Sequence, residues 1–134
     1  NGKIYSGRVY ANVGTGWKYG YFEASIKLPK GKGTWPAFWM MPANNNYSTN
    51  PWPGCGELDI LEEVGYNPNV IYSTIHCNKY QNDGSGVNAW PFNNPFYVIL
   101  NLAFGGNWGG AQGVDYSALP ITMEVDYVRV FQQQ

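Results

Sequence analysis

Four acidic residues fall within seven positions, Glu57-Leu58-Asp59-Ile60-Leu61-Glu62-Glu63, in a chain whose charged residues amount to only 13%. The aliphatic residues among them make the run read as a β-strand, in which residues two apart share a face. Glu57 and Asp59 therefore point the same way, whereas strict alternation would send Glu62 into the core. One extra residue at Ile60–Leu61, a β-bulge, returns Glu62 to the face of Glu57 and Asp59. With the bulge absorbed, Glu57 and Glu62 stand four strand steps apart, roughly 13 Å between Cα atoms. Side chains that each lean inward by roughly 4 Å bring the two carboxyls to about 5 Å, the spacing of retaining hydrolysis of a glycosidic bond. There one carboxylate attacks the anomeric carbon and the other protonates the leaving oxygen; the inverting reaction needs a wider gap to hold a water. Asp59, lying between them, would hydrogen-bond one glutamate and help to split the two pKa values. A solvated outer face is the commoner fate of an acidic cluster. Leu58, Ile60, Leu61 and Val64 argue against it here, as does the repulsion among three acids on one face.

The partner strand adds a histidine. Gly65-Tyr66-Asn67-Pro68-Asn69 reads as a turn between Glu57–Val64 and Val70–Cys77. Pairing about this turn sets His76, the single histidine, opposite Glu57 and puts Thr74 on the same face. His76 is thus a cleft candidate, and no metal role is expected of it, because no second histidine or thiolate pattern accompanies it. The same register brings Cys55 near Cys77. A disulfide forms if their Cα atoms come within roughly 7 Å, and an oxidising compartment favours it; the alternative is two independent thiols. Trp35 and Trp39 are four apart and share one face of their strand. Gly105-Gly106-Asn107 before Trp108 is a loop but no phosphate cradle, since neither a lysine nor a helix start follows.

These residues must be positioned by strands. Beyond the two just given, strand patterns cover Val9–Val13, Tyr21–Leu28, Trp35–Met41, Phe96–Phe104 and Met123–Phe131, with a long Pro-, Gly- and Asn-rich loop over 42–56. No helix or internal repeat is expected. Many short strands cut by turns predict an all-β, antiparallel two-sheet sandwich in a single domain over 1–134. The composition agrees, with 17 glycines, 9 prolines and 17% aromatic residues. Eight Lys and Arg against nine Asp and Glu give a net charge of -1, too few cations to assemble a face for nucleic acid. No run approaches the roughly 18 apolar residues of a membrane span. An uncharged surface with spare aromatic rings suits a neutral, ring-shaped ligand. The opening Asn1-Gly2-Lys3 has neither an initiating Met nor a leader, so a trimmed or shortened chain is expected.

Glu57-Leu58-Asp59-Ile60-Leu61-Glu62 resembles the E-x-D-x-x-E signature of family 16 glycoside hydrolases, in particular their laminarinase (endo-β-1,3-glucanase) branch. Further blocks resemble that family in order: Tyr19 to Ala24, Gly33 to Met40, Ser73 to His76, Pro95 to Ala103, Gly105 to Trp108 and Met123 to Val130. The resemblance implies a β-jelly roll, concanavalin A-like, whose concave sheet forms an open cleft for a β-glucan polysaccharide or oligosaccharide. It implies Glu57 as nucleophile, Asp59 as assisting acid and Glu62 as general acid/base. It further implies Arg8 and Asn101 as sugar hydrogen-bonding residues, Trp35 and Trp39 as stacking platforms, and Trp108 as a further subsite. No cofactor is required, although Asp126 resembles a position that helps to ligate a structural calcium in many members. A secreted or periplasmic location is implied as well.

In length the chain departs from the family. Strands ahead of Ser6-Gly7-Arg8 are lacking, and so is the strand pair that normally separates the Ser73 and Trp90 blocks. Gly84-Ser85-Gly86 stands in its place, so a splice or shortened loop is expected near 81–89. The function expected is an endo-β-1,3-glucanase, with mixed-linkage glucan as a second substrate. The alternative is a truncated, weakly active or inactive glucan-binding scaffold. A sugar-binding lectin of the same fold has no use for three acids on one face. Linkage preference and oligomeric state stay open, and exposed sheet edges offer a route to pairing two copies.

Overall fold

Runs that alternate apolar and polar residues form strands where a second layer can cover the apolar set. Among the described residues seven do so: β1 (Arg8–Tyr10), β2 (Tyr21–Lys27), β3 (Thr34–Pro42), β4 (Glu57–Glu62), β5 (Tyr72–His76), β6 (Phe96–Phe104) and β7 (Glu124–Phe131). The computed structural model describes residues 2–11, 16–78 and 90–133. One antiparallel sheet has the order β1-β6-β3-β4-β5, and β2 pairs with β7 in a second. This is the all-β two-sheet sandwich that the strand pattern predicts. β6 has the predicted bounds, whereas β1 ends at Tyr10 rather than Val13 and β5 starts only at Tyr72. The expected splice near 81–89 lies outside the described residues. A short 3-10 turn at Tyr116–Ala118, capped by Asp115, was not expected.

β3 is apolar almost throughout because, as the middle strand of five, it is buried along most of its length. Phe38 and Met40 join Phe96 and Val98 of β6 in the core, and Phe22, Ala24, Ile26 and Val128 of the second sheet close over them. The two-stranded sheet covers only part of that face. Where it runs out, Val9, Leu100, Val128 and Val130 help to line an apolar trough of about 300 Å³. On the opposite face Met41, Cys55 and Ile99 form a second cluster, against which Trp39 and Tyr97 pack.

The bulge sits where the acids require it. β3 pairs Ala37 with Glu62 and Phe38 with Leu61, but the next pair is Trp39 with Asp59, which leaves Ile60 without a partner. Against β5 the pairing likewise jumps from Asp59–Thr74 to Glu62–Tyr72. The Ile60 carbonyl accepts a hydrogen bond from Ser73 Oγ at 2.8 Å, which gives the irregular backbone a partner. Beyond β4 the chain is pinned to the start of β3 by Gly65 N donating to the Thr34 carbonyl at 2.8 Å. A Cβ at position 65 would collide with the Gly31 carbonyl oxygen, so only glycine fits this crossing. Glu63, the fourth acid of the cluster, is buried and accepts a bond from Asn69 N at 3.1 Å. It orders the turn that precedes β5.

Candidate active site

The register stacks residues into rows across the exposed face of the five-stranded sheet. One row runs Arg8, Asn101, Ala37, Glu62, Tyr72, and the next runs Tyr10, Ile99, Trp39, Asp59, Thr74. Glu57 pairs with His76 in the row beyond, as the hairpin turn predicts. The three acids therefore occupy three successive rows, each about 7 Å along the strand from the last. Ala37 and Ala103 are small, and the space they leave opens a cavity of about 240 Å³. Trp35, Trp39, Glu57, Asp59, Glu62 and Asn101 complete its lining.

Hydrogen bonds fix the large side chains of this lining. Trp35 Nε1 donates to Glu62 Oε1 at 2.9 Å, and Trp39 Nε1 donates to Asn101 Oδ1 at 2.7 Å. The Arg8 guanidinium carbon lies 5.2 Å from the centre of the Trp39 ring, a cation–π contact at the edge of the floor. Trp108 packs edge-on against Trp35 at 5.3 Å and against Tyr72 at 5.1 Å, so three aromatic rings gather beside Glu62. At the other end Trp52 packs against His76 with ring centres 5.6 Å apart. The structure thus brings Arg8, Trp35, Trp39, Glu57, Asp59, Glu62, His76, Asn101 and Trp108 to one face. Tyr72 and Trp52 also reach this face, and strand alternation assigned neither of them a part in it. Trp52 precedes β4 in the Pro51-Trp52-Pro53-Gly54 loop, and that position beside the acidic strand was the available signal.

Electrostatics set the acids apart. Burial pushes the Asp59 carboxyl up to about 8, aided by repulsion from Glu57 and Glu62 and by a hydrogen bond to Glu57. Asp59 thus keeps its proton at neutral pH and donates it to Glu57. Burial also raises Glu57; the His76 imidazole opposes this, the Glu62 charge adds to it, and hydrogen bonds from Trp52 and Asp59 oppose it. His76 Nε2 lies 3.1 Å from Asp59 Oδ2 and 3.8 Å from Glu57 Oε1. Asp59 Oδ2 accepts no hydrogen bond from any described group, His76 Nε2 included.

The raised Asp59 has a consequence for stability. Its folded-state value of about 8 exceeds the ordinary value of about 3.9, so the folded state holds the extra proton between those limits. Stability is therefore fullest at the acid end of that window and falls as pH rises through about 8. Asn mimics the protonated acid and cannot ionise. In a chelating buffer, Asp59→Asn is expected to flatten the loss of Tm between pH 5 and pH 9 by several degrees, at about 4 °C per kcal/mol for a domain of this size. Parallel Tm–pH curves for the two proteins would contradict the assignment.

One expectation needs correction. Cys55 and Cys77 form no disulfide. Cys55 is a buried thiol whose Sγ contacts the Gly56 carbonyl at 3.6 Å. Extended one step from Glu57–His76, the antiparallel register sets Cys77 against Gly56 rather than Cys55. Burial also raises the Cys55 thiol, which keeps it protonated. Asp126 is exposed on β7 and belongs to no group of three His, Cys, Asp or Glu ligands among the described residues.

A profile of glycosyl hydrolases family 16 matches residues 6–94. The beta-glucanase of Rhodothermus marinus is 34% identical over 183 aligned positions, which take in 95% of this chain and 64% of that protein. Those positions outnumber the chain's own 134 residues, so the relative carries stretches inside the matched span that have no counterpart here. The X-ray structure of the laminarinase from Rhodothermus marinus superposes with a TM-score of 0.84 at 34% identity, covering 93% of this chain and 70% of that one. The beta-1,3-glucan-binding protein of Penaeus monodon is 33% identical over 109 positions, 79% of this chain and 27% of that protein. The sandwich thus shares the laminarinase jelly-roll fold over 70% of that chain. With the acidic strand, the order of the sequence blocks and the fold in agreement, the chain belongs to family 16 of the glycosyl hydrolases.

Proposed function

We propose that the protein is a retaining endo-β-1,3-glucanase that also accepts β-1,3-1,4-glucan. The observation that carries this reading is the unpaired Ile60, which puts Glu57, Asp59 and Glu62 on one face of β4. Four strand steps between the outer glutamates correspond to a carboxyl spacing of about 5 Å, suited to a covalent intermediate.

In this reading a glucan lies across the rows, its rings against Trp35, Trp39 and Trp108. Arg8 and Asn101 hold its hydroxyls. Glu62, held by the Trp35 indole, protonates the glycosidic oxygen as the bond to the anomeric carbon breaks. Glu57 attacks that carbon and forms a glycosyl ester. The Asp59 hydroxyl continues to donate to the Glu57 carboxyl, which first keeps the nucleophile ionised and then eases its departure. Water next attacks the anomeric carbon, loses its proton to Glu62 and releases the sugar with its original configuration. Aromatic rings beside both Glu62 and Glu57 fit a chain that continues in both directions, hence cleavage at internal bonds.

A second reading, glucan binding without turnover, is favoured by one observation. The chain spans 64% of the length of the Rhodothermus protein, and a shorter cleft holds fewer sugar rings. Reducing-sugar release separates the two. Turnover of laminarin, and of lichenan with oligosaccharide products, is expected. Binding of both polymers with no new reducing ends would leave the second reading standing.

A further inference from the structure

The sequence offers one histidine and so no metal site, but the register supplies two further donors from the facing strand. One ligand atom each from Glu57, Asp59 and His76 lies within 4.8 Å of the other two. We propose that these three side chains bind a divalent transition-metal ion with the chemistry of zinc, and that the ion inhibits hydrolysis by occupying Glu57.

The distances suit such an ion. Tetrahedral bonds of about 2.0–2.1 Å place neighbouring donors about 3.4 Å apart. His76 Nε2 stands 3.1 Å from Asp59 Oδ2 and 3.8 Å from Glu57 Oε1, so small rotamer adjustments complete the tripod. An independent observation points to a ligand as well. The Asp59 side chain is only 4% exposed, yet its Oδ2 accepts no hydrogen bond from any described group. A buried carboxyl oxygen without a hydrogen-bond partner is costly, and a cation that displaces the Asp59 proton and binds there removes that cost. The donor set of one imidazole and two carboxylates selects zinc or copper over calcium and magnesium, which require more oxygens. Glu57 and His76, with side chains 18% and 36% exposed, leave an entry path and an open fourth position on the cleft side. Trp52 packs against the His76 ring and restrains it.

The ion takes a lone pair that Glu57 needs for attack, so metal and substrate exclude one another. This inhibitory part rests on the function proposed above; the binding part does not. The test is calorimetric titration of the whole, chelator-stripped chain with zinc chloride, beside His76→Gln and Asp59→Asn. One ion per chain is expected, with a Kd on the order of 10 µM and a loss of at least about tenfold in each variant that still melts cooperatively. X-ray absorption should show one nitrogen and two carboxylate oxygens around the zinc. No binding at about 1 mM zinc, or an affinity unchanged in both variants, overturns the site. If zinc binds as expected to a chain that hydrolyses nothing, the site is upheld and the glucanase reading falls. A chain that hydrolyses laminarin, and does so undiminished in millimolar zinc, does the reverse.

Discussion

Glu57→Ser is expected to lower the rate of laminarin hydrolysis by at least about 10⁴-fold, because no other group can form the glycosyl ester. Two neighbours could be considered as substitutes. Asp59 is protonated at neutral pH and lies nearly buried below the cavity. Glu62 is held by Trp35 at the far end of the acid row, where the proposed mechanism assigns it to the leaving oxygen. Neither stands where Glu57 stands. Binding should change little, since the aromatic floor and the Arg8–Trp39–Asn101 group are untouched. Serine also removes one of the three acids that repel one another, so Tm should hold or rise. Initial-rate kinetics on laminarin and calorimetry with a laminari-oligosaccharide check the two halves. A rate within tenfold of the parent would show that Glu57 is not the nucleophile.

Inserting one alanine between Leu61 and Glu62 is expected to abolish activity by a different route, with a loss of at least about 10³-fold. A one-residue change of register sends every later side chain of a strand to the opposite face. The bulge absorbs the one extra residue at Ile60 and not a second, so Glu62 exchanges places with the inserted alanine. An ionisable group then enters the core formed around Phe38 and Met40, and an alanine enters the cleft. Stability falls with activity, because a charge in that core has no partner. Ile60→Val keeps the residue count and should cost only about 1 kcal/mol while leaving the rate within a few-fold. The pair of variants separates the register of the strand from the side chain at the bulge. If the insertion variant still melts cooperatively and keeps a rate within tenfold of the parent, the register past the bulge does not position Glu62.

The acid strand was legible because its two demands conflict. Three acids need one face and the leucines need the other, and only an extra residue at Ile60–Leu61 satisfies both. The length of the turn over 65–69 likewise fixed His76 opposite Glu57. Other features depend on tertiary placement that alternation does not carry. Trp52 reaches His76 through the fold of the loop over 42–56, and Tyr72 meets Trp108 only because the loop after β6 returns over the sheet. Of the two alternatives for the cysteines the independent thiols hold, because Cys55 and Cys77 miss each other by one step of register, which in an antiparallel pair is enough to separate them. How far the second sheet extends was not legible either. Edge strands are set by which neighbours exist, and the apolar trough beside Val128 and Val130 shows where that sheet ends.

The direct test of the account is the configuration of the first sugar released, followed by proton NMR during the opening minutes of laminarin hydrolysis. Acid side chains spaced for covalent catalysis predict that the β-anomer appears first and mutarotates later to the equilibrium mixture. Appearance of the α-anomer first would mean that a water fits between Glu57 and Glu62, and the arrangement derived from the Ile60 bulge would be wrong.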